Sequence, residues 1–183
     1  YAMTEIQEQK IAHFFRVLDR NDNGILEEGD FTMVSDGLSD EMGHGKNSAA
    51  RLTLKVKSYD LFLQILKDMG KHEASLTMEE WVEFFEKNVL LKSNNYIHQT
   101  SDYLFSLFDQ DENGYINRKE YMDMFHAYGL YKANSAKAFD LIDLDGDEQI
   151  SRQELIKAFV EFFQSSDPEA AGNWIFGHWN ESV

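Results

Sequence analysis

Asp109, Asp111 and Asn113 set side-chain oxygens at alternate residues, Gly114 follows directly, and Glu120 stands six residues further on. Alternate oxygens followed by a glycine and a distant glutamate suit one task, wrapping a hard cation in a short loop. A divalent ion of calcium's size takes six to eight oxygens at roughly 2.3–2.6 Å. Twelve residues supply that shell only if alternate side chains point inward and the backbone turns sharply near the middle. Gly114 supports the turn, because glycine enters positive φ without a Cβ clash. Glu120 closes the shell with both carboxylate oxygens from the first turn of the next helix. The Asp109–Glu120 segment is therefore a complete calcium loop, with Tyr115 and Asn117 filling its seventh and ninth positions.

Two more segments follow the template, each with one departure. Asp19, Asn21, Asn23, Gly24, Ile25 and Glu27 match positions 1 to 9 of a loop that ends in Asp30 instead of glutamate. Asp143, Asp145, Asp147, Gln149, Ser151 and Glu154 match another, in which Glu148 stands where glycine is expected. A non-glycine residue at positive φ costs on the order of 1 kcal/mol. Gly146, two residues early, does not stand in for it directly. The expectation is a weakened but functional loop. The shorter Asp30 struggles to present both oxygens to a large ion, which penalises six-coordinate Mg²⁺ less than Ca²⁺. Mg²⁺ is therefore expected at this first loop at rest.

Aligning position 8, the apolar residue through which paired loops form a short β-bridge, reveals a fourth unit. Leu26, Ile116 and Ile150 mark that position in the three loops, and Leu76 marks it in Met69–Glu80. Met69 and Lys71 occupy positions 1 and 3 there, where an ion needs oxygen. This loop is expected to hold no metal and to serve as the structural partner of the first.

Amphipathic runs flank the loops and must position them. Thr4–Leu18 carries Ile11, Phe14, Phe15 and Leu18 on one face, and a second entering run ends in Tyr103, Leu104, Leu107 and Phe108. Exiting helices open with capping-box spacing, Thr77 with Glu80, Asn117 with Glu120, and Ser151 with Glu154. Arg51–Lys67 reads as a long helix, and Asp36–Asn47, interrupted by Gly37, Gly43 and Gly45, as the connection before it. The expected organisation is all-α, with four helix–loop–helix units in two pairs, 1–92 and 93–183, and a boundary near Lys92–Asn95. Trp81, Phe84 and Phe85 read as core. After Asp167-Pro168 an apolar tail, Trp174-Ile175-Phe176, is expected to fold back into a groove, since exposed it would aggregate.

Composition narrows the function. The 183 residues carry a net charge of −16, which argues against nucleic acid. Five, four and five of the 33 acidic residues fall in the three intact loops, so much of the charge has a specific address. Three divalent ions would bring −16 to about −10. There is no cysteine, hence no disulfide or thiolate site, and a cytoplasmic location is the simplest expectation. No apolar run reaches the length of a membrane span. The six histidines lack ligand spacing, Gly43-His44-Gly45-Lys46 lacks the spacing of a phosphate loop, and nothing marks a catalytic grouping.

The arrangement resembles the invertebrate sarcoplasmic calcium-binding proteins and their calexcitin relatives, EF-hand proteins whose second hand is inactive. The resemblance rests on the four units, on Asp30, and on the tail Asp167-Pro168-Glu169-Ala170-Ala171-Gly172-Asn173-Trp174-Ile175-Phe176-Gly177. It implies a compact all-α fold and a cytosolic Ca²⁺/Mg²⁺ buffer or signal modulator. A sensor gripping a target helix is the alternative within calcium proteins. Coelenterazine photoproteins and luciferin-binding proteins share the active-inactive-active-active pattern and are similar at His178-Trp179, but differ at Asp30 and Val183.

Overall fold

The computed structural model describes residues 3–88 and 95–180. Helix α1 (Glu5–Leu18) starts at a reciprocal cap, in which the Gln7 N–H donates to Thr4 Oγ1 and the Thr4 N–H to Gln7 Oε1. Its apolar face buries Ile11, Phe14, Phe15 and Leu18 almost completely. The first loop leads into β1 (Ile25–Glu27) and α2 (Glu28–Glu41). Here one expectation is corrected: α2 runs through Asp36 and Gly37, so the connection shortens to residues 42–48. Gly37 lies inside the helix facing Ala127, where a Cβ would meet the Ala127 Cα at 3.7 Å, an ordinary contact distance.

Ser48 then caps α3 (Ala49–Asp68), its Oγ accepting from the Arg51 N–H. The second loop, β2 (Ser75–Thr77) and α4 (Met78–Asn88) complete the first pair. β1 and β2 lie antiparallel in the register Ile25–Thr77, Leu26–Leu76 and Glu27–Ser75. The position-8 alignment is therefore the observed pairing.

The expected boundary at Lys92–Asn95 falls mainly outside the described residues. Beyond it come α5 (Asn95–Phe108), α6 (Arg118–Ala127), α7 (Ala133–Ile142) and α8 (Arg152–Gln164). Ile116 and Ile150 form the second bridge, exchanging both main-chain hydrogen bonds at 2.9 and 2.8 Å. Both bridge pairs, Leu26–Leu76 and Ile116–Ile150, are fully buried.

The two pairs face each other across one continuous core. α2 and α3 pack against α6 and α5, and α1 packs against both α4 and α8. Polar ties cross the same interface. Arg20, in the first loop, donates from Nε to Ala127 O at 3.1 Å at the end of α6. A Cβ on Gly129 would collide with that guanidinium at 2.5 Å, so the glycine keeps the channel for Arg20 open.

The tail folds back as expected. A 3-10 turn (Ala171–Trp174) delivers Ile175 and Phe176 to the core. Phe176 stacks on Phe14 with ring centroids 4.8 Å apart, and Tyr121 Oη donates to Ile175 O. His13 is buried in α1 with Nε2 2.9 Å from Phe176 O. Trp81, Phe84 and Phe85 are core, and the Trp81 indole N–H donates to Ile11 O at 3.0 Å.

Candidate metal centres in three loops

Each intact loop folds around its own side-chain oxygens. The position-1 aspartate accepts from the backbone N–H of position 6: Gly24 to Asp19 at 2.8 Å, Gly114 to Asp109 at 2.9 Å, and Glu148 to Asp143 at 3.0 Å. Position 3 accepts from the N–H of position 5, and position 5 from that of position 7. In the third loop these are Asn113 to Asp111 at 3.2 Å and Tyr115 to Asn113 at 2.9 Å. The first loop repeats them through Asn21 and Asn23, and the fourth through Asp145 and Asp147. These bonds curl the chain so that successive oxygens converge.

The twelfth residue closes the curl. Glu120 accepts from the Asp111 and Asn117 N–H groups at 3.2 and 3.0 Å. Glu154 accepts from Leu144, Asp145 and Ser151 at 2.7, 3.3 and 3.0 Å. Asp30 makes the corresponding pair, Asn21 at 3.2 Å and Glu27 at 3.0 Å, although it is one methylene shorter. Its carboxylate is consequently fully buried. The capping boxes double as this closure, since Asn117 and Ser151 accept from the N–H groups of Glu120 and Glu154 at 2.8 and 3.1 Å.

Electrostatics favour a cation. Burial raises the carboxyls of Asp30, Asp109, Glu120 and Asp143 above their ordinary range, with neighbouring acidic groups adding to the shift. One oxygen each of Asp19 and Asp143 is buried without a hydrogen-bond donor. An acceptor held that way is costly unless a cation serves it. In the third loop Asp109, Asp111 and Glu120 bring carboxylate oxygens within 4.8 Å of one another, as do Asp143, Asp145, Asp147 and Glu154 in the fourth. The first loop carries asparagine at positions 3 and 5 and, with Glu27 at position 9, offers three carboxylates on the same hydrogen-bond frame. The residues fit a hard divalent ion.

The fourth loop departs from the sequence reading in an instructive way. Every intact loop places two residues at positive φ, at positions 4 and 6. They are Asp22 and Gly24 (54° and 81°), Glu112 and Gly114 (56° and 86°), and Gly146 and Glu148 (67° and 66°). Each loop thus has one glycine and one other residue in the left-handed region, and the fourth merely exchanges their places. Glu148 adds no strain beyond what Asp22 and Glu112 already impose. Its side chain is held by Arg118 of the third hand, which also pairs with Asp140 and lies 4.5 Å over the Phe139 ring. Sequence reasoning missed Arg118; its signal was the arginine at position 10 of the loop paired with the one carrying the misplaced glutamate.

The second loop assembles no such cluster. Lys71 at position 3 reaches across to pair with Glu80 at position 12.

Four helix–loop–helix units bridged two by two through position 8 define an EF-hand protein. The EF-hand domain pair model matches residues 72–128 and the EF hand model residues 136–160. Calerythrin from Saccharopolyspora erythraea is 27% identical over 175 residues, covering 92% of this chain and 99% of its own. Calexcitin-1 from Caenorhabditis elegans is 24% identical over 175 residues, covering 90% and 82%. Among solved structures, the calcium-loaded apo form of coelenterazine-binding protein from Renilla muelleri superposes with a TM-score of 0.77 at 16% identity, covering 96% of this chain and 99% of that one. The amphioxus sarcoplasmic calcium-binding protein gives 0.69 at 18% identity, covering 97% and 99%. The chain is thus an EF-hand protein in its loops and fold, similar in sequence to calerythrin and calexcitin-1 and in fold to the amphioxus sarcoplasmic calcium-binding protein. Among the described residues, no helix is long and apolar enough to cross a membrane.

Proposed function

We propose that this protein is a cytoplasmic Ca²⁺/Mg²⁺ buffer with three ion sites and no catalytic role. The first site comprises Asp19, Asn21, Asn23, Ile25 (through its carbonyl), Glu27 and Asp30. Asp109, Asp111, Asn113, Tyr115 (through its carbonyl), Asn117 and Glu120 form the second. Asp143, Asp145, Asp147, Gln149 (through its carbonyl), Ser151 and Glu154 form the third. The halves 1–92 and 93–183 act as two hand pairs, the first with one working site and the second with two.

The observation that carries the buffer reading is the tail. A sensor needs an apolar groove that opens to a target helix. Here Phe176 fills the space between α1 and α8, in ring contact with Phe14, Phe159 and Phe162. A protein whose own residues occupy that space has little to offer a target. Coelenterazine binding is a second reading, favoured by the backbone likeness to the Renilla protein, a likeness of fold alone.

Calorimetric titration with Ca²⁺, with and without Mg²⁺, tests the proposal. Three sites, one of them strongly weakened by Mg²⁺, are expected. Apolar-dye fluorescence should change little on adding Ca²⁺; a large rise would favour the sensor, and visible absorbance co-purifying with the protein would favour the coelenterazine reading.

A further inference from the structure

The second loop has lost its ligands at positions 1 and 3 but has kept Glu80 at position 12. Lys71 stands at position 3, on the side from which an ion would meet that glutamate, and its ammonium pairs with the Glu80 carboxylate. The pair is sheltered, with Lys71 19% and Glu80 34% exposed. Glu80 keeps the cap contact of the intact loops, its N–H donating to Thr77 Oγ1 at 3.2 Å, as Glu120 and Glu154 do to Asn117 and Ser151. The Glu80 carboxyl is held below its ordinary range chiefly by its hydrogen bond from Lys71.

Thr77 is also the last residue of β2 and sits opposite Ile25, whose carbonyl belongs to the first ion site. A continuous path therefore runs from Lys71 through Glu80 and Thr77 into β2, across to β1, and on to Asp30 through the Glu27 N–H. We propose that Lys71 is a tethered cation that replaces the ion in the second hand and holds the β1–β2 ladder in its closed register, thereby preorganising the first site for its metal. The proposal makes Lys71 a positioning residue for the first site and rests on the reading of Asp19–Asp30 as an ion site. A permanently neutralised partner loop spares the first site the cost of ordering two loops with one ion.

The test compares the full chain carrying Lys71, Lys71→Met or Lys71→Arg, following the Gly24 and Gly114 amide signals by NMR during Ca²⁺ titration. Each of these amides donates to the position-1 aspartate of its loop and so reports one site. Lys71→Met is expected to weaken binding at the Gly24 site by about fivefold, the low end of ordinary coupling between sites. The Gly114 site should stay within about twofold, below the usual range of such coupling. Lys71→Arg should restore the loss. Unchanged binding at the Gly24 site in Lys71→Met would overturn the proposal. So would tighter binding, which is what removing a positive charge gives by simple electrostatics. A second readout needs no ion: in the metal-free protein Lys71→Met should speed hydrogen exchange of the β1–β2 ladder amides, and equal exchange removes the clamp. If the Gly24 signal of the unaltered chain ignores both Ca²⁺ and Mg²⁺, the ion-site reading itself fails, and the exchange comparison still decides the role of Lys71.

Discussion

Lys10 and Asn173, separated by 163 positions in the chain, meet through Nζ and Oδ1 at 2.8 Å with both side chains fully buried. The same ammonium donates to Glu161 O at 3.0 Å and Ser165 O at 2.8 Å, so it ties α1 to the end of α8 and to the tail. Burial lowers its pKa from 10.5 to about 8, against weaker raising effects from Glu161 and Asp167. Lys10→Met would leave three acceptors without their donor and should cost about 2–4 kcal/mol at neutral pH. Between pH 8 and 10.5 the unfolded chain holds the Lys10 proton while the folded one releases it, so stability from this group rises with pH. Urea melts of the calcium-loaded protein should show the gap to Lys10→Met widening over that window, by at most about 3 kcal/mol.

Asp30→Glu should shift the first site toward calcium. The longer side chain can reach a larger ion with both oxygens while keeping the hydrogen bonds now made from Asn21 and Glu27. A rise in Ca²⁺/Mg²⁺ selectivity of about tenfold, or about 1.4 kcal/mol, is expected. Competition calorimetry measures it, and an unchanged ratio would mean that the length of residue 30 does not set ion choice.

Gly146 carries the left-handed conformation at position 4 in open space, where a Cβ would have no neighbour within 4 Å. Gly146→Ala therefore isolates backbone strain. It should weaken the Asp143–Glu154 site by about fivefold, for roughly 1 kcal/mol. Glu148→Gly removes similar strain but also the Arg118 contacts, and exposed ion pairs contribute little. Its affinity should hold or rise. Stopped-flow chelation of the calcium-loaded protein would separate the two variants by their release rates.

Gly172→Ala tests the tail. A Cβ there would lie 2.2 Å from Ala158 O on α8, where the backbones touch. Relief requires the turn to lift, at a cost of about 1–3 kcal/mol or more. Lower thermal stability and increased dye binding should follow, together with a change in Trp174 and Trp179 fluorescence. Full retention of the native melting temperature would show that the tail is a loose cover.

The loops are legible because ligand chemistry leaves little freedom: oxygens at fixed intervals, an apolar position 8, and a capping residue that is also a ligand position. Leu26–Leu76 and Ile116–Ile150 follow from alignment alone. Gly37 misleads, since glycine reads as a break, whereas α2 continues through it and packs against α6 across the pair interface. Glu148 misleads for a related reason. The loop template reserves position 6 for glycine, whereas the folded loop has two left-handed residues and needs only one of them to be glycine. Lys10 gives no local pattern, because its partners lie far away in sequence, and Arg118 takes its meaning from Glu148 in the paired loop, a relation visible only when the two loops are read together.

The stacking of Phe176 on Phe14 also sets an order of events in synthesis. α1 leaves the ribosome well before the tail, yet one wall of the socket around Phe14 is supplied by the tail's Phe176, translated long after it. Until then its aromatic face has only part of its native cover, and the first hand pair must wait or pack provisionally. Such long-range closure slows folding and prolongs exposure of apolar surface. A nascent chain stalled before Asn173 should therefore be a chaperone client even though all four of its loops have already been made.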